Sequence, residues 1–267
     1  MDKFIAIVFP DENKAYEGIK ALKELEFDGS ISLYGTAVIK RQKDGSVATK
    51  DTETEGPVGT ALGALVGGLL GVLGGPIGAS LGIAAGAVVG GARDLFELGV
   101  SKEFLDSFSG ALSAGKTAVL AEVSEEWVTP LDTRMAALGG TVMREPRNDF
   151  IEYDIHRRIE AQKAELAQRR EERAAAKAEK MEAKLEQDIK HAEEKLRRMG
   201  DKAQSRVEQY KVELDARVNA LKEQAAHAKP QAKERIEKRI AKVRAVEQQR
   251  LRNLERAWKD SQDALRS

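Results

Sequence analysis

The chain has 267 residues, of which 33% are charged and 42% hydrophobic, and its 44 basic residues balance its 44 acidic residues. A net charge of −6 over residues 1–148 against +6 over residues 149–267 is too small to indicate a nucleic-acid-binding tail. The absence of cysteine from the sequence excludes disulfides, thiolate metal sites and cysteine nucleophiles. The N-terminus has no small-residue cleavage site, and we expect a protein kept on the cytoplasmic side.

Residues 1–55 and 94–146 alternate short strands and helices in the way that is typical of a small α/β sandwich. Ser101 has the position of a helix cap, and Gly139 follows a helix that it is expected to stop. We predict a ferredoxin-like α/β sandwich of the α+β class with an added helix–strand unit. The predicted strands cover 3–9, 30–40, 46–51, 117–123 and 141–145, and the predicted helices cover 11–27, 101–112 and 125–140.

Residues 56–92 contain no Asp, Glu, Lys or Arg, and glycine recurs there with a period of four. Four residues advance a helix by about 400°, so each set of glycines forms a drifting ridge of bare backbone. Each glycine costs roughly 1 kcal/mol relative to alanine, which close packing between backbones can offset. We predict a helical hairpin insert over residues 56–93. The predicted helix-packing and assembly residues are Gly59, Gly63, Gly67, Gly71, Gly78, Gly82, Gly86 and Gly90. The side chains predicted on the outer faces are those of Leu62, Leu65, Val66, Leu69, Leu70, Leu81, Ile83, Val88 and Val89.

This glycine-zipper hairpin has two interpretations. Each arm of about 16 residues is roughly 24 Å long, which is shorter than the ~20 residues that a bilayer core near 30 Å requires. In the first interpretation the hairpin spans a thinned bilayer, re-enters it, or inserts after oligomerisation. In the second interpretation it is a soluble hairpin buried between subunits, where its glycines serve tight packing.

Residues 148–267 are predicted to form a charged coiled-coil helical tail, because Ala, Glu, Lys, Arg, Gln and Leu predominate there. Apolar residues recur between 181 and 228 with a mean spacing close to 3.6, which favours nearly straight or slightly right-handed packing. Their stripe is narrow and needs a partner helix from this chain or from another protein. Pro230 predicts a helix break and Gly200 a second hinge, so folded-back and extended arrangements both fit.

The order of these segments resembles a known family. The stretches are KFIAIVFPDENKA, GTAVIKRQKDGSV, the glycine-rich hairpin, DLFELGVSKEFLDSF, GKTAVLAEVSEEW and GGTVMRE. In that order they resemble the bacterial domain-of-unknown-function family numbered 1269, whose members are described as membrane proteins. The resemblance covers residues 1–146, and it implies a ferredoxin-like sandwich with a glycine-zipper insert and membrane association. It implies no catalytic residues, and the charged tail lies outside the family pattern.

Metal and acid–base patterns are weak throughout the sequence. The histidines His156, His191 and His227 are far apart in the tail and are interpreted as solvated helix-surface residues rather than metal ligands. The adjacent pair Glu125 and Glu126 is interpreted as the acidic start of a helix. We therefore predict no catalytic residue and no metal site.

One stretch matches a phosphate-binding pattern. Residues 110–117, GALSAGKT, fit the GxxxxGK[ST] phosphate-loop motif. They follow a predicted helix and precede a predicted strand, whereas a phosphate loop follows a strand and opens a helix. We interpret Gly115 as a helix C-cap and predict no cofactor.

These observations predict a non-enzymatic, self-assembling structural or scaffold protein associated with a membrane. Its expected partners are further copies of itself, a lipid bilayer and a coiled-coil partner helix, while the acids interleaved along the tail disfavour nucleic acid. The expected location is the cytoplasmic side of the bacterial inner membrane, with the cytoplasm as the alternative. The alternative functions are a soluble homo-oligomeric shell or scaffold with the hairpin as its buried assembly core, and a small-ligand-binding regulatory domain.

Overall fold

The computed structural model describes residues 2–53, 59–73, 100–147, 150–175 and 179–266, and these residues form strands and helices as the α+β class predicts. The strands are β1 (Asp2–Phe9), β2 (Ile31–Arg41), β3 (Val47–Glu53), β4 (Thr117–Glu125) and β5 (Thr141–Pro146). The helices are α1 (Glu12–Phe27), α2 (Gly59–Leu73), α3 (Lys102–Ala111), α4 (Thr129–Ala137), α5 (Phe150–Ala175), α6 (Glu179–His227) and α7 (Pro230–Arg266).

The strands form one antiparallel sheet in the order β3-β2-β4-β1-β5. Without β3, the order β2-β4-β1-β5 is that of the ferredoxin-like fold predicted from the sequence. Among the described residues, the insert between β2 and β4 therefore includes β3, α2 and α3. A tight turn joins β2 to β3, and Gly45 adopts φ +88° there, a conformation that suits glycine.

One face of the sheet is covered by α1 and α4, and we term it the first face. Helix α1 begins after Asp11, whose carboxylate accepts the Lys14 backbone N–H at 2.9 Å. Gly139 ends α4 with φ +74°, as predicted. The buried hydrophobic side chains of this layer are Ile5, Ile7, Phe9, Ala15, Ala21, Leu22, Leu25, Ile31, Val119, Ala121, Val123, Leu131 and Met135.

Half of the second face of the sheet is covered by α2 and α3. Ser101 caps α3 as predicted and accepts the Phe104 backbone N–H at 3.1 Å. At the other end of α3, Arg41 Nη1 donates to the carbonyl of Leu112 at 3.1 Å. We term the sheet surface beneath these two helices the apolar half-face. Its buried sheet residues are Phe4, Ala6, Val8, Ala37, Ile39, Val47, Ala118 and Leu120.

The other half of the second face is covered by Asp215–Val243, which belongs to the same compact unit as the sheet. This segment, which we term the elbow, comprises the end of α6, the turn at residues 228–229 and the start of α7. The helix break predicted at Pro230 is confirmed, since α7 begins there. The sequence-based division placed all of 148–267 in a separate tail, and the difference arises from the polar contacts between the elbow and the sheet.

A second compact unit contains α5, α6 up to Leu214 and α7 from Arg244. Within it the helices fold back on one another and bury an apolar seam. The predicted hinge at Gly200 is wrong, because α6 runs through it without a break. A Cβ at Gly200 would lie 2.4 Å from Ser261 Oγ, so the glycine allows α6 and α7 to approach closely. The buried residues of the seam are Ile155, Ile159, Leu166, Ile189, Ala192, Leu196, Ala203, Val207, Leu254 and Ala257.

Candidate functional site

The first candidate region is the glycine-rich helix α2, which lies against the sheet. Its large apolar side chains, which the sequence places on the outer faces of the predicted hairpin, pack against the sheet in this described part of the segment. The leucine-rich side of α2 faces the sheet because this orientation removes the most apolar surface from water. The buried residues are Leu62, Leu65, Val66, Leu69 and Leu70. Leu81, Ile83, Val88 and Val89 lie outside the described residues.

The predicted assembly glycines of α2 have different surroundings. Gly59 begins the helix, Gly63 is exposed, Gly67 is buried and Gly71 is half-buried. Four-residue steps drift by about 40° each, so the ridge winds from the solvent side of α2 towards its covered side. A Cβ added at Gly63 would meet no atom within 4 Å. The other predicted assembly residues, Gly78, Gly82, Gly86 and Gly90, lie outside the described residues.

The length and hydropathy of the helices bear on whether they can span a membrane. Helix α2 has 15 residues and carries no charged side chain. None of the helices in the described part of the chain combines the length and the apolar character needed to cross a membrane.

The second candidate region is polar and lies on the sheet beneath the elbow. We term it the polar half-face, and it consists of Asp2, Ser32, Tyr34, Glu122 and Ser124. Asp2 and Ser32 both pair with Ser124 across the sheet, which brings three strands together at this end. A β-bulge in β2 between Leu33 and Gly35 places Tyr34 as the extra residue.

Arg217 from the elbow is the central side chain on this surface. Its guanidinium, which is 2% exposed, donates from Nη1 to Asp2 Oδ2 and from Nη2 to Glu122 Oε1. The same group lies 5.0 Å from the centre of the Tyr34 ring, in the geometry of a cation–π contact. Glu122 also accepts from Arg147 Nη1 at 3.0 Å. Two carboxylates and two guanidiniums thus neutralise one another in a cluster whose central members, Arg217 and Glu122, are buried.

Two further elbow residues bind the end of α1 and the start of β2. Gln224 Nε2 donates to the carbonyls of Glu26 and Ile31 at 2.7 and 2.8 Å, and Gln224 Oε1 accepts from Ser32 Oγ at 2.6 Å. Arg239 Nη1 donates to Ser32 Oγ at 2.5 Å. The elbow is therefore held by directional hydrogen bonds to specific atoms, in addition to apolar contact.

Burial changes the acid–base behaviour of two groups on this surface. It raises the pKa of Tyr34 well above its ordinary value, and the carboxylates of Asp2 and Glu122 act in the same direction. It lowers the pKa of Arg239, against the opposing effect of nearby Tyr34 and Glu126. Tyr34 is consequently a neutral phenol at physiological pH. The electrostatic interactions of this region are therefore those between carboxylates and guanidiniums.

The acidic pair at Glu125 and Glu126 does not have the predicted role. Glu125 is buried in β4, which runs two residues further than predicted, and α4 begins only at Thr129. Its carboxylate accepts from Arg144 Nε at 2.6 Å and from Lys3 Nζ at 2.9 Å. Burial raises the pKa of Glu125, but the hydrogen bonds and charges of Arg144 and Lys3 outweigh burial and hold it below its ordinary value.

The phosphate-loop match has the inverted context that the sequence predicts. Helix α3 ends at Ala111, Gly115 adopts φ +85° in the following turn, and β4 begins at Thr117. Gly115 is therefore a turn residue four positions after the helix rather than its C-cap. Lys116 Nζ donates to the carbonyl of Ala111 at 3.3 Å.

The three histidines are exposed, as predicted for solvated helix-surface residues. His156 lies on α5, and His191 and His227 lie on α6. Within the described ranges, no group of three or more His, Cys, Asp or Glu side chains is placed to hold a metal ion.

Comparison with protein families tests the resemblance noted in the sequence. The family model of a protein of unknown function, DUF1269, matches residues 60–160. The match to DUF1269 confirms the resemblance from α2 to β5, and it extends into α5. Residues 1–59, which the resemblance also included, lie outside the DUF1269 match. No curated protein and no solved structure matches the chain.

The polar half-face was missed in the sequence. Arg217 and Arg239 lie in helices where charged residues are frequent, and neither has a distinctive local motif. The strand β4 did contain a weak signal of this site, because Glu122 is the one charged residue in the strand pattern TAVLAEV. A buried strand that contains one carboxylate requires a cationic partner elsewhere in the chain.

Proposed function

We propose that the protein is a non-enzymatic scaffold that self-assembles at a membrane, into which it inserts its glycine-rich segment. The observation that supports this most directly is the absence of any charged residue from 56 to 92, in a chain that is one-third charged. Such a length of uncharged sequence is unusual outside a protein interior, a protein interface or a bilayer. Fifteen of these 37 residues form α2, whose leucines are covered by the sheet while a Cβ added at Gly63 would meet nothing within 4 Å.

In this proposal the α/β sandwich is the platform and α2 is the anchored half of the contact segment. A helix that presents glycine outwards lets a second helix approach closely enough for backbone-to-backbone contact. The position of Gly63 suits that role, because no side chain fills the space beside it. The C-terminal helices then extend the scaffold with a charged surface.

A soluble homo-oligomer, with the glycine-rich segment as its buried assembly core, is the second candidate. It is favoured by the burial of Leu62, Leu65 and Leu69 in the described fold, since these side chains are already removed from water by the sheet. A bilayer would gain little further apolar burial from them.

Fractionation of the native protein separates the two candidates. We expect the protein in the membrane pellet, resistant to carbonate and released by detergent as a particle of several copies. Gly63→Glu adds a charge where the structure has open space, and we expect it to move most of the protein into the carbonate supernatant. Gly110→Glu is the matched control, because Gly110 is also an exposed helical glycine with nothing within 4 Å of an added Cβ.

Other outcomes have defined meanings. A large particle in the supernatant of the wild type favours the soluble scaffold and rules out the membrane role. A monomer in the supernatant contradicts both candidates. An equal response of Gly63→Glu and Gly110→Glu rules out a specific role for the outward side of α2.

A further inference from the structure

The contact between the elbow and the polar half-face has the chemistry of an interface between separate bodies. Inter-domain and transient protein interfaces are more polar than cores, and their affinity depends on specific charged and hydrogen-bonded groups. Here Arg217, Gln224 and Arg239 make those contacts to the sheet. Buried ion pairs add little net stability compared with apolar packing, while they penalise a wrong partner strongly.

The two sides of the contact are complementary in charge. The sheet contributes the carboxylates of Asp2 and Glu122, and the elbow contributes the guanidiniums of Arg217 and Arg239. Arg239 is 4% exposed, and its Nε has no hydrogen-bond partner among the described residues. This incomplete pairing makes the free energy of docking less favourable. The elbow can therefore separate from the sheet at a smaller free-energy cost than if every buried group were paired.

The path of the chain makes the elbow an element that can change partners. The sheet is complete at Pro146, and the elbow begins only at Asp215, after α5 and most of α6. It is followed by the rest of α7. The elbow is thus joined to its own sheet only through residues that belong to the second unit. Exchange of such an element between identical chains keeps every native contact and is a low-cost route to assembly.

We infer that the polar half-face is a self-association surface, which accepts the elbow of a second copy of this chain in place of its own. This inference rests on the proposed self-assembly, but it uses a surface separate from the glycine-rich segment. The recognition elements are Arg217 for the carboxylates of Asp2 and Glu122, and Gln224 for the backbone carbonyls at the end of α1 and the start of β2.

Cross-linking between single-cysteine chains tests the inference, because the native sequence has no cysteine. Arg235 Nη2 donates to the carbonyl of Asp28 at 3.0 Å, and both residues are exposed. Two tagged full-length chains, one with Asp28→Cys and the other with Arg235→Cys, are co-expressed and treated with a short bis-maleimide. We expect a product that contains both tags.

Two charge reversals on α6 make the test specific. Arg217→Glu in the Arg235→Cys chain places a carboxylate against Asp2 and Glu122, and we expect at least a tenfold loss of the mixed product. Lys222→Glu is the matched control at an exposed elbow position, and it should leave the product unchanged. Asp44→Cys replaces Asp28→Cys as a second control, since the turn at Asp44 lies at the opposite end of β2 and should give no product.

The result that overturns the inference is a cross-link found only inside a chain that carries both Asp28→Cys and Arg235→Cys. A mixed product that survives Arg217→Glu overturns it as well, and circular dichroism of that variant checks that the sheet is intact. Light scattering on the wild type keeps the two proposals distinguishable. A multi-chain particle without the mixed product removes the elbow inference alone, and a monomer removes both.

Discussion

The second face of the sheet is covered in two different ways along the same strands. Over the apolar half-face, Leu65, Leu69 and Phe108 fill the space between sheet and helix. Over the polar half-face, two strand positions further along β4 from Leu120, Glu122 meets Arg217. The apolar half gains free energy in proportion to the area that it removes from water, and it accepts any well-shaped apolar neighbour. The polar half gains little net energy and accepts only a partner with cations at matching positions.

The largest expected loss of stability comes from a substitution that removes the ion pairs between the elbow and the polar half-face. Arg217→Ala leaves the carboxylates of Asp2 and Glu122 without their main elbow cation, and removal of one member of a buried pair costs about 4 kcal/mol. Denaturant unfolding should show this loss. A change below about 1 kcal/mol would mean that the elbow was not docked on the sheet in solution.

A cavity in the apolar half should have a somewhat smaller effect. Leu69, on the side of α2 that faces the sheet, is fully buried, and Leu69→Ala removes its packing at a cost of about 3 kcal/mol. Leu69→Met keeps most of the apolar volume and should cost less than about 1.5 kcal/mol, whereas Arg217→Met should cost about as much as Arg217→Ala because it also leaves the two carboxylates without their elbow cation. Equal losses of unfolding free energy in Leu69→Met and Arg217→Met, measured by denaturant unfolding, would contradict the division into apolar and polar halves.

Glu125, on the first face, sharpens the comparison through its pH dependence. Because its pKa in the folded state is below its ordinary value of 4.5, the stability that it contributes is present above pH 4.5 and is lost as the pH falls through the folded-state pKa. Glu125→Gln should be less stable by about 2 kcal/mol at pH 7. The stability curves of the variant and the wild type should converge in acid, and parallel curves would exclude the ionised pair with Arg144.

The smallest effect concerns two helical glycines. Gly63→Ala should stabilise the protein by about 1 kcal/mol, because the space beside it is open and alanine is the better helix former. Gly18→Ala should destabilise it, because a Cβ there would lie 2.4 Å from the ring of Phe9. Thermal unfolding of both variants tests the sign. A higher unfolding temperature for Gly18→Ala would contradict the close packing of α1 on β1.

The order of elements could be predicted from sequence because local chemistry specifies it. Alternation, the Ser101 cap and the glycine at 139 each depend on a few neighbouring residues. The covered side of α2 could not be predicted, since a helical period shows which residues share a face but not which face meets the sheet. Glu125 was misplaced because the strand continues into an acidic pair that is also suited to a helix start. Arg217 was missed because its partners are distant in sequence.

The polarity of the half-face also bears on the order of events during synthesis. Glu122 precedes Arg217 by 95 residues and Asp2 precedes it by 215. At a translation rate of about 5–20 residues per second, the five strands are complete several seconds before the elbow emerges. During that interval the uncovered part of the nascent sheet presents hydroxyls and carboxylates to water, which hydrate readily and discourage aggregation of incomplete chains. The polar half-face is thus the part of the sheet that is covered last during synthesis, and it is also the part that tolerates exposure to water.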